Sequence, residues 1–166
     1  MAAKIQLGIR PGYYGYLACA ADDRLLWIEP VPTFPNTEKT NSMRWEKQVD
    51  ANKLTTMILN AEPDRILIER QIYHQDDHFR SARKMFHFGR LLGMVESLDD
   101  VEYAIIAEEH WLMVSGAAEM VAETGCRISD AVVTIATERW PHIEWHDDGP
   151  ARRGQACAAF LATIKI

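Results

Sequence analysis

The sequence predicts an α/β fold built on a five-stranded mixed sheet. Three short apolar runs separated by turn residues fill the chain up to Glu29, two more lie downstream, and helix-patterned stretches stand between and after them. Lys4 to Ile9 reads as a buried strand, Tyr13 to Ala20 as the next and Arg24 to Glu29 as a third. Asp22-Asp23 supplies a tight turn between the second and third, so these strands form an antiparallel meander. Pro30 to Gln48, with three prolines and a polar centre, lacks any period and is expected to be a long exposed loop. Asp50 is placed to cap a helix whose Leu54, Met57, Ile58 and Ala61 share a face, and Pro63-Asp64 stops it. Arg65 to Glu69 is a fourth strand, with Glu69 at the end where sites assemble in such sheets.

Phe79 to Leu98 is the longest helical stretch. It carries Ala82, Met85, Phe86 and Gly89 on one face and Phe88, Leu91, Leu92, Val95 and Leu98 on another, so it has two surfaces to bury. Val101 to Ala107 is the fifth strand and Glu108 to Val114 a short helix. Ser129 is expected to cap a helix closed by Trp140-Pro141, and His142 to Pro150 to be a loop. Ala151 to Ile166 is the final helix, Ala-rich, packing through Ala156, Ala159, Phe160 and Thr163.

With 166 residues, 48% of them hydrophobic, the chain can fill one core, and two independent domains are not expected. No run approaches the roughly 20 apolar residues of a membrane span. The N-terminus lacks a basic segment followed by a signal-type apolar core, so a soluble, non-secreted protein without a membrane partner is expected. Three scattered cysteines (Cys19, Cys126 and Cys157) suit a reducing compartment better than a disulfide framework. The net charge of −6 argues against coating nucleic acid by bulk charge. Its distribution says more. Between Arg70 and Arg90 lie five cations, two acids and three histidines, whereas Leu91 to Cys126 holds eight acids and no Lys or Arg. One basic segment able to hold phosphates is expected on an otherwise acidic body.

This element order, opened by Gly8-Ile9-Arg10-Pro11-Gly12 and carrying Ile66-Leu67-Ile68-Glu69-Arg70 on the fourth strand, resembles the RuvC-type Holliday-junction resolvases of the ribonuclease H-like superfamily, in particular their phage and prophage branch. Val31-Pro32-Thr33-Phe34-Pro35, Met85-Phe86-His87-Phe88-Gly89-Arg90, Gly93-Met94-Val95-Glu96, His110-Trp111 and Gly154-Gln155-Ala156-Cys157-Ala158 extend the likeness over nearly the whole chain. It implies a ribonuclease H-like fold in one domain over residues 1–166, three antiparallel strands followed by parallel ones, and helices on the flanks. It also implies the cytoplasm of a bacterial host, a phage-encoded origin, DNA as partner and a homodimer through the long helix.

Enzymes of this family cut phosphodiesters with two divalent metals, which activate a water and stabilise the leaving oxygen. Magnesium prefers oxygen ligands, so the resemblance implies a carboxylate on the first strand, one ending the fourth, and a pair on or just before the last helix. By motif, the first-strand aspartate falls on Arg10, the glutamate on Glu69, and the pair on Arg153 (or Arg152) and Cys157. Glu69 alone keeps its chemistry. A guanidinium never deprotonates at working pH. At ~4 Å and an effective dielectric of about 20, each like-charge contact costs on the order of 4 kcal/mol, doubled against a divalent ion. Two-metal catalysis and a metal cofactor are therefore not expected. Arg10 and Glu69 are expected to form a charge-assisted pair instead, their charged groups within about 6 Å.

The vacated cleft is expected to be lined by cations alone and still to grip DNA. The candidate contacts are Arg10, Arg70, His74, Arg80, Arg83, Lys84, Arg90, Arg152 and Arg153. Leu112 stands where the phage branch usually has a lysine. Phe86 and Phe88 are read as core or dimer packing rather than base-stacking wedges. An alternative is an active junction endonuclease whose Mg²⁺ site has moved to Glu69, Asp147 and Asp148, with His146 beside them. Two adjacent loop acids rarely face one ion together, and a solvated turn is the better reading. Glu108-Glu109-His110 reads as the polar start of a helix, Cys157 as a buried thiol rather than a nucleophile, and Trp45, Trp140 and Trp145 as packing residues. The leading expectation is a catalytically silent RuvC-like protein that binds branched or double-stranded DNA. A third reading is a structural component with a protein partner and no DNA role.

Overall fold

The computed structural model describes residues 3–12, 15–34, 48–72 and 78–165, apart from the side chains of 48, 78–81 and 83. Of the sequence expectations, those for His74, Trp45 and most of the loop after Pro35 lie outside the described residues, as do those for the side chains of Arg80 and Arg83.

Strands β1 (Ile5–Arg10), β2 (Tyr16–Ala21) and β3 (Arg24–Pro30) form the expected meander, with Asp22 turning it in the left-handed region (φ 52°). Thr33–Phe34 (β4) pairs antiparallel with Gln48–Val49 (β5), a small ribbon in what the sequence suggested was unstructured loop. Two-residue strands leave no periodicity to read. Helix α1 (Ala51–Ala61) starts where expected: the Asp50 carboxylate accepts from the Lys53 backbone N–H at 3.1 Å. Then follow β6 (Arg65–Glu69), α2 (His78–Glu96), β7 (Glu102–Ile106), α3 (Glu108–Ser115), α4 (Ala117–Thr124), α5 (Ile128–Arg139) and α6 (Gly149–Thr163). The sheet runs β3-β2-β1-β6-β7, antiparallel from β3 to β1 and parallel from β1 to β7. Thus β6 and β7 are the fourth and fifth strands of the sequence reading, and the five-stranded mixed sheet is borne out.

Each face of the sheet buries its own core. Leu7, Ile9, Leu17, Cys19, Ile66 and Ile68 pack under Leu54 and Ile58 of α1 and Phe88, Leu91 and Val95 of α2. Ala18, Ala20, Leu25, Leu67 and Ile106 meet α3 to α6 on the other side. The final helix departs from the expected single packing face, because everything from Gly154 to Ala162 is buried. Its small side chains let it lie directly on β1, where a Cβ at Gly8 would overlap the Ala158 carbonyl oxygen and the Ala162 nitrogen.

Three further boundaries differ from the sequence reading. Helix α5 begins at Ile128, with Arg127 at the cap position and Ser129 inside, its Oγ 3.3 Å from Asp130 Oδ1. The Arg127 carbonyl already accepts from Asp130 and Ala131, so the first turn closes before Ser129 can cap it. Helix α6 starts at Gly149 rather than Ala151, because Pro150 is preset for a first helical turn. Helix α4 was not foreseen; Gly116 and Gly125, both at positive φ, bracket it. The two faces of α2 also differ: Phe88, Leu91 and Val95 are buried, whereas Met85 and Phe86 are 37% and 54% exposed. Phe86 is therefore a surface residue and not core.

Candidate functional site

Parallel pairing of β1, β6 and β7 brings their carboxyl ends to one edge of the sheet. Ile9 lies beside Ile68 and Glu69 beside Ile106, so Arg10 ends its strand level with Glu69, and Glu108 follows just past the end of β7. Helix α6 crosses above β1 and supplies Arg153 and Cys157, one turn apart. The expected pair is present: Arg10 Nε donates to Glu69 Oε2 at 3.3 Å, and Gln71 Nε2 donates to the same oxygen at 3.0 Å. The contact uses one guanidinium nitrogen and is not bidentate.

The sequence missed the second half of the site. Arg153 Nη2 donates to Glu108 Oε1 at 3.0 Å, so Glu108 is a member of the cluster as well as the polar start of α3. The all-cation lining expected from the sequence is corrected accordingly. Arg10 and Arg153 each meet a carboxylate, and charges of opposite sign alternate around the Cys157 thiol. The rule that singled out Glu69 could have drawn attention to Glu108, which stands two residues past the end of β7 at the same edge. What hid it was the adjacent Glu109, which made the pair look like an ordinary acidic helix start.

Electrostatics follow from burial. Burial pushes the Cys157 thiol up to about 12, the nearby Arg10 and Arg153 charges opposing only in part, so it is neutral at physiological pH. Burial, with the like charge of Glu108 added, raises Glu69 above the usual carboxylate range against the pull of Arg10 and the Gln71 hydrogen bond. Arg10 loses solvation too, yet Cys157, which ionises only at high pH, together with Glu69 and Glu108 holds it above its usual value.

These residues do not fit a pair of divalent ions. Of the two carboxylates, each already accepts from an arginine, and Arg10 places a fixed cation between the sheet edge and α6. The relocated set of Glu69, Asp147 and Asp148 is also corrected. Among the described residues no three His, Cys, Asp or Glu side chains converge to hold a metal. Asp147 is fully exposed and lies 3.6 Å from Arg152, and Asp148 raises the buried Tyr16 hydroxyl, an effect secondary to burial itself.

Arg152 points its Nε to the His146 carbonyl at 2.6 Å. With Arg10, Arg153, Ser129, Thr134 and the start of α6, it lines a cavity of about 540 Å³. Arg70 and Lys84 are exposed along the basic segment, and the Arg90 guanidinium lies 5.8 Å over the Phe86 ring. Leu112 packs against the α3–α6 core, as do Trp140 and Trp145.

In sequence, neither a protein-family model nor a curated protein matches the chain. In structure it is similar to RuvC of Thermus thermophilus. RuvC in complex with a Holliday junction substrate superposes with a TM-score of 0.61 at 15% identity, covering 95% of this chain and 90% of that one. A second Thermus thermophilus RuvC structure gives 0.53 at 16% identity, covering 95% and 92%. The mixed five-stranded sheet with its flanking helices therefore matches the ribonuclease H-like fold of these RuvC structures.

Proposed function

We propose that the chain is a catalytically silent relative of the junction resolvases. On this reading it binds branched or duplex DNA at the carboxyl edge of its parallel strands and does not cut it. The carrying observation is the Arg10 guanidinium hydrogen-bonded to Glu69, a tethered cation at the place where metal ions would have to gather. The similarity to a RuvC solved with a Holliday junction supports the choice of DNA. Because the two carboxylates offset Arg10 and Arg153, the grip falls mainly to Arg152 beside the cluster and to the basic segment. That segment offers Arg70, Lys84 and Arg90, with His74, Arg80 and Arg83 from the same stretch. The exposed Met85 and Phe86 on α2 suit a homodimer contact. The working place is the cytoplasm of a bacterial host, with a phage-borne origin.

Incubation with a four-way junction in Mg²⁺ or Mn²⁺ tests this. The expected result is a retarded complex that weakens steeply with salt and is never nicked. Symmetric nicking that disappears in Glu69→Gln would overturn the reading. Absence of a complex at low salt would favour the protein-interaction reading instead, for which Met113 and Val114, 66% and 50% exposed beside the acidic surface of α3, are the relevant observation.

A further inference from the structure

The connection between α5 and α6 runs alongside β3, the outermost strand of the sheet, which among the described residues pairs with β2 alone. His142 ties one end of it to the strand, its Nε2 3.2 Å from the Leu25 carbonyl oxygen. Gln155, buried on α6, holds the rest from behind: its Oε1 accepts from the His146 backbone N–H at 2.7 Å, and its Nε2 donates to the Glu144 carbonyl at 3.3 Å. Trp145 Nε1 donates to the Trp140 carbonyl at 3.3 Å, which restrains the indole. The connection is therefore a fixed wall, and between it and β3 lies a cavity of about 530 Å³.

Two indoles line this cavity, Trp27 from β3 and Trp145 from the connection. Both are half-buried, so each keeps surface that an occupant can touch. Glu144 and Asp147 stand exposed beside them, and among the described residues no Lys or Arg lines the cavity. Arg152 stands outside the wall, 3.6 Å from the fully exposed Asp147, a contact of little strength in water. The Glu144 carboxylate meets no cation among the described residues. Elsewhere the chain sets its own arginines over aromatic faces, Arg139 at 5.5 Å over Trp140 and Arg90 at 5.8 Å over Phe86. Over Trp27 and Trp145 no cation lies among the described residues.

An anion would be repelled by this wall, and a purely apolar segment would strip water from carboxylates without pairing them. A cation with a flat face meets both features. We propose that the cavity is a docking site for an arginine side chain carried on an extended segment of a partner protein, its guanidinium against the two indoles and bonded to Glu144. Guanidinium is planar, stacks on aromatic rings and keeps N–H groups for a carboxylate, which an ammonium on a flexible stem does less well. The volume lies within the range of ligand sites, about 300–1,000 Å³, and so has room for the backbone that carries the side chain. The site needs no contact with DNA.

The test uses the whole protein and a capped pentapeptide with one central arginine among glycines and serines. Indole resonances of protein labelled with ¹⁵N at tryptophan are assigned by their loss in Trp27→Phe and Trp145→Phe, and titration should move both saturably. The same peptide with citrulline, which keeps the shape and removes the charge, should bind at least tenfold more weakly. Calorimetry makes that comparison on the unaltered protein. Glu144→Gln, at an exposed position, should weaken the arginine peptide at least fivefold, and free arginine amide should need a higher concentration than the peptide. No saturable movement, equal binding of the citrulline peptide, indifference to Glu144→Gln, or arginine amide binding as tightly as the peptide would each overturn the proposal. No DNA is present in the titration, so this site and the DNA reading above stand or fall separately.

Discussion

Replacing Arg10 by methionine keeps most of the side chain's bulk and removes its charge. The Glu69 side chain is only 6% exposed and the Arg10 side chain 24%, so the variant leaves a desolvated carboxylate with Gln71 as its remaining donor among the described residues. Removing one partner of a buried pair costs about 3–5 kcal/mol. Because Gln71 stays and Glu69 can take up a proton, the low end, about 3 kcal/mol, is expected at about pH 7. For a domain of this size that lowers the melting temperature by about 6–12 °C. The pH dependence has a definite sign. Glu69 is already raised above its unfolded-chain value by burial, and loss of Arg10 raises it further. The folded variant then binds a proton that the unfolded chain releases, so its stability falls as pH climbs through the folded value and recovers on acidification. Melts of both proteins at about pH 7 and about pH 5 should show the gap narrowing in acid. Arg10→Met combined with Glu69→Met should recover most of the loss, a coupling readable by a double-mutant cycle. A single-variant gap under about 1 kcal/mol at about pH 7, or one that widens in acid, would refute the account of a buried ion pair.

Other consequences are open to direct measurement. Arg10→Asp, Arg153→Asp and Cys157→Asp together should restore a carboxylate set around Glu69 and produce Mg²⁺ binding by calorimetry; no heat of binding would count against the mapping of these positions onto a metal site. Gly8→Ala should cost at least about 3 kcal/mol in urea unfolding, because its methyl would overlap backbone atoms of α6 and stand 2.7 Å from Leu161 Cβ. Wild-type stability in that variant would mean that α6 does not lie on β1. Burial holds the thiols of Cys19 and Cys157 at about 11 and about 12, whereas Cys126 is half-buried. Ellman's reagent should therefore react quickly with one thiol of the native protein and with all three after denaturation. A second fast thiol in the native state would contradict the packing around β2 or α6.

Much of the fold was legible because it rests on local chemistry. The Asp22-Asp23 turn, the Asp50 cap, the stop before Pro63 and the apolar alternation of β6 each act within a few residues, and each lies where the pattern put it. Where short-range signals were weak, the reading failed. The β4–β5 ribbon is too short to show a period, α4 is set by two glycines at positive φ, and α5 starts at an arginine rather than at the apparent serine cap. In the site, Arg10 and Glu69 could be paired because the resemblance puts both positions in one site, and the structure sets them at the ends of neighbouring parallel strands. Arg153 and Glu108 could not, since α3 and α6 meet only after the chain has folded.

By itself, then, the sequence determined the mixed sheet and pointed to Arg10 and Glu69 as partners at the edge of that sheet. Only the tertiary structure decided what charge that cluster carries. Side-chain pairing across elements depends on helix placement, and α6 comes close enough to the sheet edge for Arg153 to reach Glu108 because Gly8 and the run of alanines let it lie flat on β1. The same close packing buries Trp111 against Phe160 and leaves its N–H without an acceptor among the described residues. No pattern of residue types along the chain reveals such a vacancy, because it is a property of the space around the ring.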